Sequence, residues 1–220
     1  MSAESFLNRD GGRVVDAVIR VIQENAAALS EIDGAIGDGD HGINMSKGVT
    51  ICAERLAGAQ PDLTQGLLTL GTVLLGEIGG AMGPLYGTFF RAMAKASTGQ
   101  ERIDSRVFHG MLENGMTGVV TLGNAKMGDK TLVDTLDPAV RALAAAIAGG
   151  KSFADALAAM GAAAETGRDS TREMVARLGR SSRLGERSRG VLDAGAVSCC
   201  LILTAMARSM RELLGIEPRR

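Results

Sequence analysis

The sequence predicts an all-α protein, folded as one domain in an antiparallel barrel or bundle of about eight amphipathic helices. Three observations predict it. Apolar residues recur at helical spacing along most of the chain. Aromatic residues make up only 3%, with no Trp and one Tyr, too few for a sandwich built on aromatic cross-strand pairs; Ala, Leu and Met, all helix formers, take their place. Gly accounts for 30 of 220 residues, about twice the usual share of roughly 7%, and it gathers in a few short connections.

The elements follow in order. Val14, Val15, Val18, Ile19 and Ile22 share one helical face, and that segment runs to about Ser30. A second helix starts near Ile43 and ends before Gly58. Pro61 and Asp62 open a third, with Leu63, Leu67, Leu70, Leu74 and Leu75 as its apolar stripe. Met82 to Ala96 forms a fourth, and Asp104 or Ser105 caps a fifth that reaches about Leu122. Asp137-Pro138 reads as the start of the sixth, from Val140 to Ala148, closed by Gly149-Gly150. Ser152 caps the seventh, with a break expected around Thr166-Gly167. The last helix, Ala194 to Leu214, is nearly all apolar in its first half and belongs at the centre.

Charge and cysteine content remove several function classes. Lys+Arg 24 against Asp+Glu 25 leave a net charge of −1, so the chain has no overall basic footprint for nucleic acid. No apolar run reaches the roughly 18–20 residues that span a bilayer, and the opening MSAESFLNRDGGR has no uninterrupted apolar stretch of a signal peptide. Cys52, Cys199 and Cys200 are an odd, sparse set, two of them adjacent in an apolar run, and they read as buried thiols rather than a disulfide frame. A soluble protein of the reducing cytoplasm is expected.

Four connections carry more glycine and polar residues than a tether requires: 33–42, 78–87, 123–131 and 179–195. In an antiparallel bundle alternate connections share an end, so these four are expected to converge on one site.

The first holds Asp33, Asp38 and Asp40 within eight residues, followed by His41, Gly42, Ile43 and Asn44. Like-charge repulsion makes such a cluster costly without a cation, and carboxylate oxygens suit Mg²⁺ or Ca²⁺. A solvated Asp-Gly turn is the competing reading. An EF-hand starting at Asp38 would need Asp or Asn at 42 and Glu at 49, where the chain has Gly42 and Val49. The habit that remains is an ion shared between protein carboxylates and a ligand's phosphates, with the start of the second helix offering N–H groups to the anion.

The second connection sets Gly79, Gly80, Ala81, Met82 and Gly83 at a helix start, either as a phosphate cradle or as close helix packing. The third, Gly123 to Asp134, contains Gly128, Lys130 and Thr131, but Asn124 and Asp129 stand where a P-loop requires glycine. The fourth carries Arg177, Arg180, Arg183, Arg187 and Arg189 before Asp193-Ala194-Gly195, a solvated face or a set of phosphate ligands. Tyr86 beside the glycines reads as an anchor, and His109 as a surface or structural residue.

In order, the segments AIGDGDHGINM, GGAMGPLYGTFF, GDKTLVD and GRSSRLGERSRGVLDAGAVS resemble the DhaL family, the nucleotide-binding subunits of dihydroxyacetone kinase, over nearly the whole chain. The resemblance implies a closed barrel of eight amphipathic helices binding ADP or ATP at one end, through two Mg²⁺ ions held by Asp33, Asp38 and Asp40. It implies nucleotide contacts from His41, Gly42, Ile43, Asn44, Ala81, Met82, Gly123 and Leu132, with Arg180, Asp193, Ala194 and Gly195 on the adenine side. Met82 stands where the family commonly has a small hydroxyl residue, Ala194 replaces a usual Pro, and Arg183 replaces a frequent aromatic residue.

The implied chemistry is phosphoryl transfer to dihydroxyacetone, which a separate substrate-binding subunit holds covalently through a histidine. The donor is free ATP in one branch of the family. In the other it is a retained ADP recharged by a phosphotransferase-system phosphocarrier subunit. Two further readings stay open: a nucleotide-state sensor that binds a transcription factor, and a kinase subunit for a related ketose such as a tetrulose.

Overall fold

The computed structural model describes residues 4–216. Nine α-helices account for most of them: α1 (Gly12–Glu24), α2 (Ala26–Ile36), α3 (His41–Leu56), α4 (Leu63–Glu77), α5 (Met82–Ala96), α6 (Ser105–Gly123), α7 (Val133–Ala148), α8 (Phe153–Ser170) and α9 (Ala194–Leu213). Eight of them close a ring: α1 packs on α3, each helix from α3 to α8 packs on its successor, and α9 returns to α1. The ninth, α2, lies against α3, α9 and the 3₁₀ segment Arg180–Ser188. A continuous apolar core fills the ring, with Leu67, Leu70, Phe90, Met93, Phe108, Leu143 and Leu203 fully buried. No helix among the described residues is long and apolar enough to cross a membrane.

The first apolar segment, expected as one helix to Ser30, is two. Asn25 donates its side-chain amide to the Val21 carbonyl at 2.8 Å, capping α1 from within the chain, and α2 departs in a new direction. The sixth helix starts at Val133 rather than near Pro138, which sits inside it. Pro138 cannot donate to the Asp134 carbonyl one turn back. That carbonyl instead lies against Gly167, where a Cβ would overlap it. The same contact explains why α8 continues unbroken through Thr166 and Gly167: the glycine is a packing notch, not a stop.

A two-stranded antiparallel ribbon, β1 (Ser5–Leu7) with β2 (Arg102–Asp104), pairs Phe6 with Ile103, both buried. It leads into the N-terminus of α6, away from the end where α6 meets the site described below.

Candidate functional site

Because the ring is antiparallel, the connections α2–α3, α4–α5, α6–α7 and α8–α9 all lie at one end. They enclose a cavity of about 540 Å³. The helices that begin there differ from three that begin at the other end. The N-termini of α4, α6 and α8 are closed by side-chain bonds from Asp62, Asp104 and Ser152. Those of α3, α5 and α7 receive no side-chain bond from Asp40, Ala81 or Leu132. Of the helices starting at the cavity, only α9 is capped, by Asp193, which accepts from the Ala196 N–H at 2.7 Å. Neighbouring segments reach some of these amides, Asp33 that of His41, Ser30 that of Ile43 and Thr131 that of Val133, while the first turn of α5 has no side-chain partner; all three helices bring positive dipole ends to one mouth.

The acidic loop is shaped by its glycines. Gly39 turns the chain with φ +78° between Asp38 and Asp40. Gly37 passes so close to Asp33 that a Cβ would lie 2.5 Å from its Oδ1. One oxygen of each carboxylate thereby falls within 4.8 Å of the other two. The Asp38 and Asp40 side chains remain 41% and 49% exposed, open to a ligand. Arg180 reaches over from the α8–α9 connection, with Nη1 against the Asp38 carboxylate and 3.6 Å from Asp40 Oδ2.

Residue by residue, Asp33, Asp38, Asp40, His41, Asn44, Ala81, Met82, Gly123, Leu132, Arg180, Asp193, Ala194 and Gly195 all line the cavity. Gly42 and Ile43 do not. Gly42 is buried against α2, where a Cβ would overlap the Ala26 carbonyl. Ile43 points outward, 66% exposed, while its N–H bonds Ser30 Oγ at 3.2 Å. Arg180, expected on the adenine side, lines the cavity and has carboxylate partners. It pairs with the acidic loop, and the strap that carries it packs on α2.

The glycine turn divides between its two readings. Gly79 and Gly80 have open space where a side chain would stand, Gly80 at φ +74°, and both line the cavity. Gly83 and Gly87 instead serve close packing of α5 on α4. Ile36, Met82, Leu85, Val119, Leu122 and Leu178 give the cavity an apolar wall.

Of the polar groups buried behind the wall, Ser198 and Asp134 were not legible as site residues. Ser198 Oγ bridges His41 Nε2 at 2.9 Å and the Tyr86 hydroxyl at 2.7 Å, and that hydroxyl also donates to the Gly195 carbonyl at 3.1 Å. Burial pushes the His41 pKa down to about 4, with the Asp33 charge only partly opposing it, so the ring is neutral at pH 7. Burial likewise pushes the Asp193 carboxyl up to about 7, against the Ala196 N–H and the Lys130 charge. Asp134, wholly buried, accepts from the Gly128 and Thr131 amides and holds the α6–α7 loop. The one signal available beforehand was negative: Ala81 and Leu132 are poor caps at helix starts.

Comparison with known proteins agrees with this architecture. The family model described as the DAK2 domain matches residues 35–208. The PEP-dependent dihydroxyacetone kinase 1, ADP-binding subunit DhaL, of Listeria innocua is 39% identical over 86% of this chain and 89% of its own length. The corresponding PEP-dependent subunit of Escherichia coli is 39% identical over 84% of this chain and 88% of its length. An L-erythrulose kinase of Pectobacterium atrosepticum is 31% identical over 88% of this chain, which spans only 33% of that protein. Among solved structures, the dihydroxyacetone kinase of C. freundii has the same fold, with a TM-score of 0.67 and 24% identity, covering 90% of this chain and 34% of that one. The chain therefore belongs to the DAK2 domain family, among its DhaL-type subunits.

Proposed function

We propose that this chain is the nucleotide-binding subunit of a dihydroxyacetone kinase, one domain that presents Mg²⁺-bound ADP or ATP to a ketone held on a separate substrate-binding subunit. The observation that carries the reading is the triad Asp33, Asp38 and Asp40, gathered within 4.8 Å at the mouth of a cavity where α3, α5 and α7 begin. The triad fits Mg²⁺: its donors are hard oxygens, and their charge already draws the Arg180 guanidinium onto them. The relatives named as ADP-binding subunits support the nucleotide, and a C. freundii kinase structure described in complex with AMP-PNP and Mg²⁺ has the same fold.

The geometry supports a division of labour. The open first turn of α5 binds phosphate oxygens, with the dipoles of α3 and α7 adding positive potential and Gly79 and Gly80 allowing close backbone approach. Met82 has no hydrogen to donate, so its main-chain N–H takes the place of a side-chain hydroxyl. The wall of Ile36, Leu85, Val119, Leu122 and Leu132 accepts the adenine and excludes water. Arg180 brings a positive charge to the phosphate end. Bound at Asp33, Asp38 and Asp40, Mg²⁺, in our reading two ions, supplies the charge neutralisation that phosphoryl transfer requires. The three free cysteines suit a reducing compartment, and we assign the chain to the cytoplasm.

The test is reconstitution. The chain is mixed with a substrate-binding subunit and dihydroxyacetone, with free ATP in one arm, and with ADP, phosphoenolpyruvate and the phosphocarrier proteins in the other. Formation of dihydroxyacetone phosphate is expected in one arm and identifies the donor. Tight Mg·ADP binding without transfer in either arm overturns the kinase reading and leaves a nucleotide-binding module.

A further inference from the structure

Lys130 is the only lysine or arginine fully buried among the described residues, 1% exposed, and no carboxylate lies within ion-pair distance of it. Its Nζ donates to the carbonyls of Thr171 at 2.8 Å, Ser188 at 2.8 Å and Val191 at 2.5 Å, and reaches that of Met174 at 3.2 Å. The backbone at Lys130 adopts φ +62°, a conformation uncommon outside glycine. Asp134 holds it there by accepting the amides of Gly128 and Thr131 on either side.

These carbonyls belong to both feet of the 171–193 connection. The feet are also joined by Gly190 N–H to the Arg172 carbonyl at 2.8 Å and Ala176 N–H to Ser188 Oγ at 2.9 Å. Between the feet the strap crosses the cavity mouth, where Leu178, Gly179, Arg180 and Ser181 line the opening. Apart from short 3₁₀ turns it has no regular structure of its own. A buried ammonium with no carboxylate in contact is expensive unless dipoles replace its water, and the ring of carbonyls does this. Removing the ammonium would leave those carbonyls facing one another in the interior.

We propose that Lys130 is a positioning residue for the nucleotide site: its ammonium, caged by four main-chain carbonyls, pins both feet of the strap and so presents Arg180 to the acidic loop. The inference rests on the nucleotide reading above for its consequence in binding, but not for the cage itself.

Hydrogen exchange and calorimetry on the full chain test it, using Lys130→Met, Arg180→Ala and the double variant. In Lys130→Met the amides of Ala176, Arg177 and Gly190 are expected to exchange at least about tenfold faster, a factor equal to about 1.4 kcal/mol of lost protection, while the barrel helices keep wild-type rates. Mg·ADP affinity should fall in both single variants and no further in the double, because both losses act through Arg180. A residue that merely stabilises the fold would give multiplying losses. Unchanged strap exchange, or losses that multiply, overturns the proposal. Wild-type protein that binds no Mg·ADP sinks the nucleotide reading, and strap exchange then decides the cage alone. If Lys130→Met does not fold, Lys130→Ala is prepared with and without n-propylammonium. Restored strap protection supports the cage and its absence overturns it, since carbonyl rings accept small cations.

Discussion

The Arg180 guanidinium rests against the Asp38 carboxylate, joining the α8–α9 strap to the acidic loop after α2. Both side chains are substantially exposed, so the pair adds little to stability. Its meaning is electrostatic. Three carboxylates within 4.8 Å repel one another, and the fold supplies an arginine as counter-charge. A divalent cation on the same oxygens would compete for that role and leave the guanidinium available to a phosphate, one residue serving two charge states of the site.

Asp38→Asn removes one charge while keeping shape. Mg²⁺-dependent ADP affinity is expected to fall roughly tenfold or more, about 1.4 kcal/mol at least. Titration calorimetry with and without Mg²⁺ measures it. Unchanged affinity in Mg²⁺ would remove Asp38 from the cation site.

Arg180→Ala should weaken Mg·ADP by about 5–150-fold, corresponding to the roughly 1–3 kcal/mol of a hydrogen bond to a charged group. Exposure of the side chain, 56%, favours the lower end. Adenosine, lacking phosphate, should bind both proteins alike. Arg183→Ala is the matched control, exposed on the same strap; Arg189 is unsuitable because its Nη1 donates to the Glu173 carbonyl. Equal ADP affinity of the Arg180 and Arg183 variants would leave Arg180 a surface residue.

What the sequence disclosed follows from which forces are local. The helices of the ring were legible because a 3.6-residue apolar stripe and caps such as Asp62, Asp104 and Ser152 lie within a few residues of one another. The acidic loop was legible because its three carboxylates are neighbours in the chain. The start of α7 was misread, since Asp137-Pro138 mimics a helix opening. Asp134, whose carboxylate bonds Gly128 and Thr131, fixes the true one. Ser198, and the buried role of Lys130, escaped notice for a different reason. Their partners, from Thr171 to Val191 and from His41 to Tyr86, come together only when the ring closes.

Ser198→Ala removes the hydroxyl that bridges His41 Nε2 and Tyr86, in an interior where every buried side-chain polar atom among the described residues has a partner. Stability to urea should drop by about 1–3 kcal/mol, the cost of leaving a buried polar group unpaired. Tyr86→Phe should cost less, about 0.5–1.5 kcal/mol, because Ser198 keeps its bond to the Gly195 carbonyl. Wild-type stability in Ser198→Ala would mean that water replaces the bridge.

Asp193 and His41 bias stability with pH in opposite directions, so a variant is needed to see either. Burial raises the Asp193 carboxyl from its ordinary value of 3.8 to about 7. Between those values the native state holds a proton that the unfolded chain has released, so stability falls as pH rises through the interval and levels off above it. His41 is lowered from 6.5 to about 4. Across that span the unfolded chain holds the proton, and stability rises with pH. In the wild type the two slopes largely cancel between about pH 4 and 6.5. Asp193→Asn deletes the falling limb while leaving a side-chain oxygen to cap α9 at the Ala196 amide. Its stability, measured by urea unfolding without Mg²⁺, is expected to rise from about pH 4 to 6.5 by at most about 1.4 kcal/mol per unit. Its advantage over the wild type should grow up to about pH 7 and then stay constant. A difference between the two proteins that does not vary with pH would show Asp193 ionised throughout, with its charge answered by Lys130 rather than suppressed by burial.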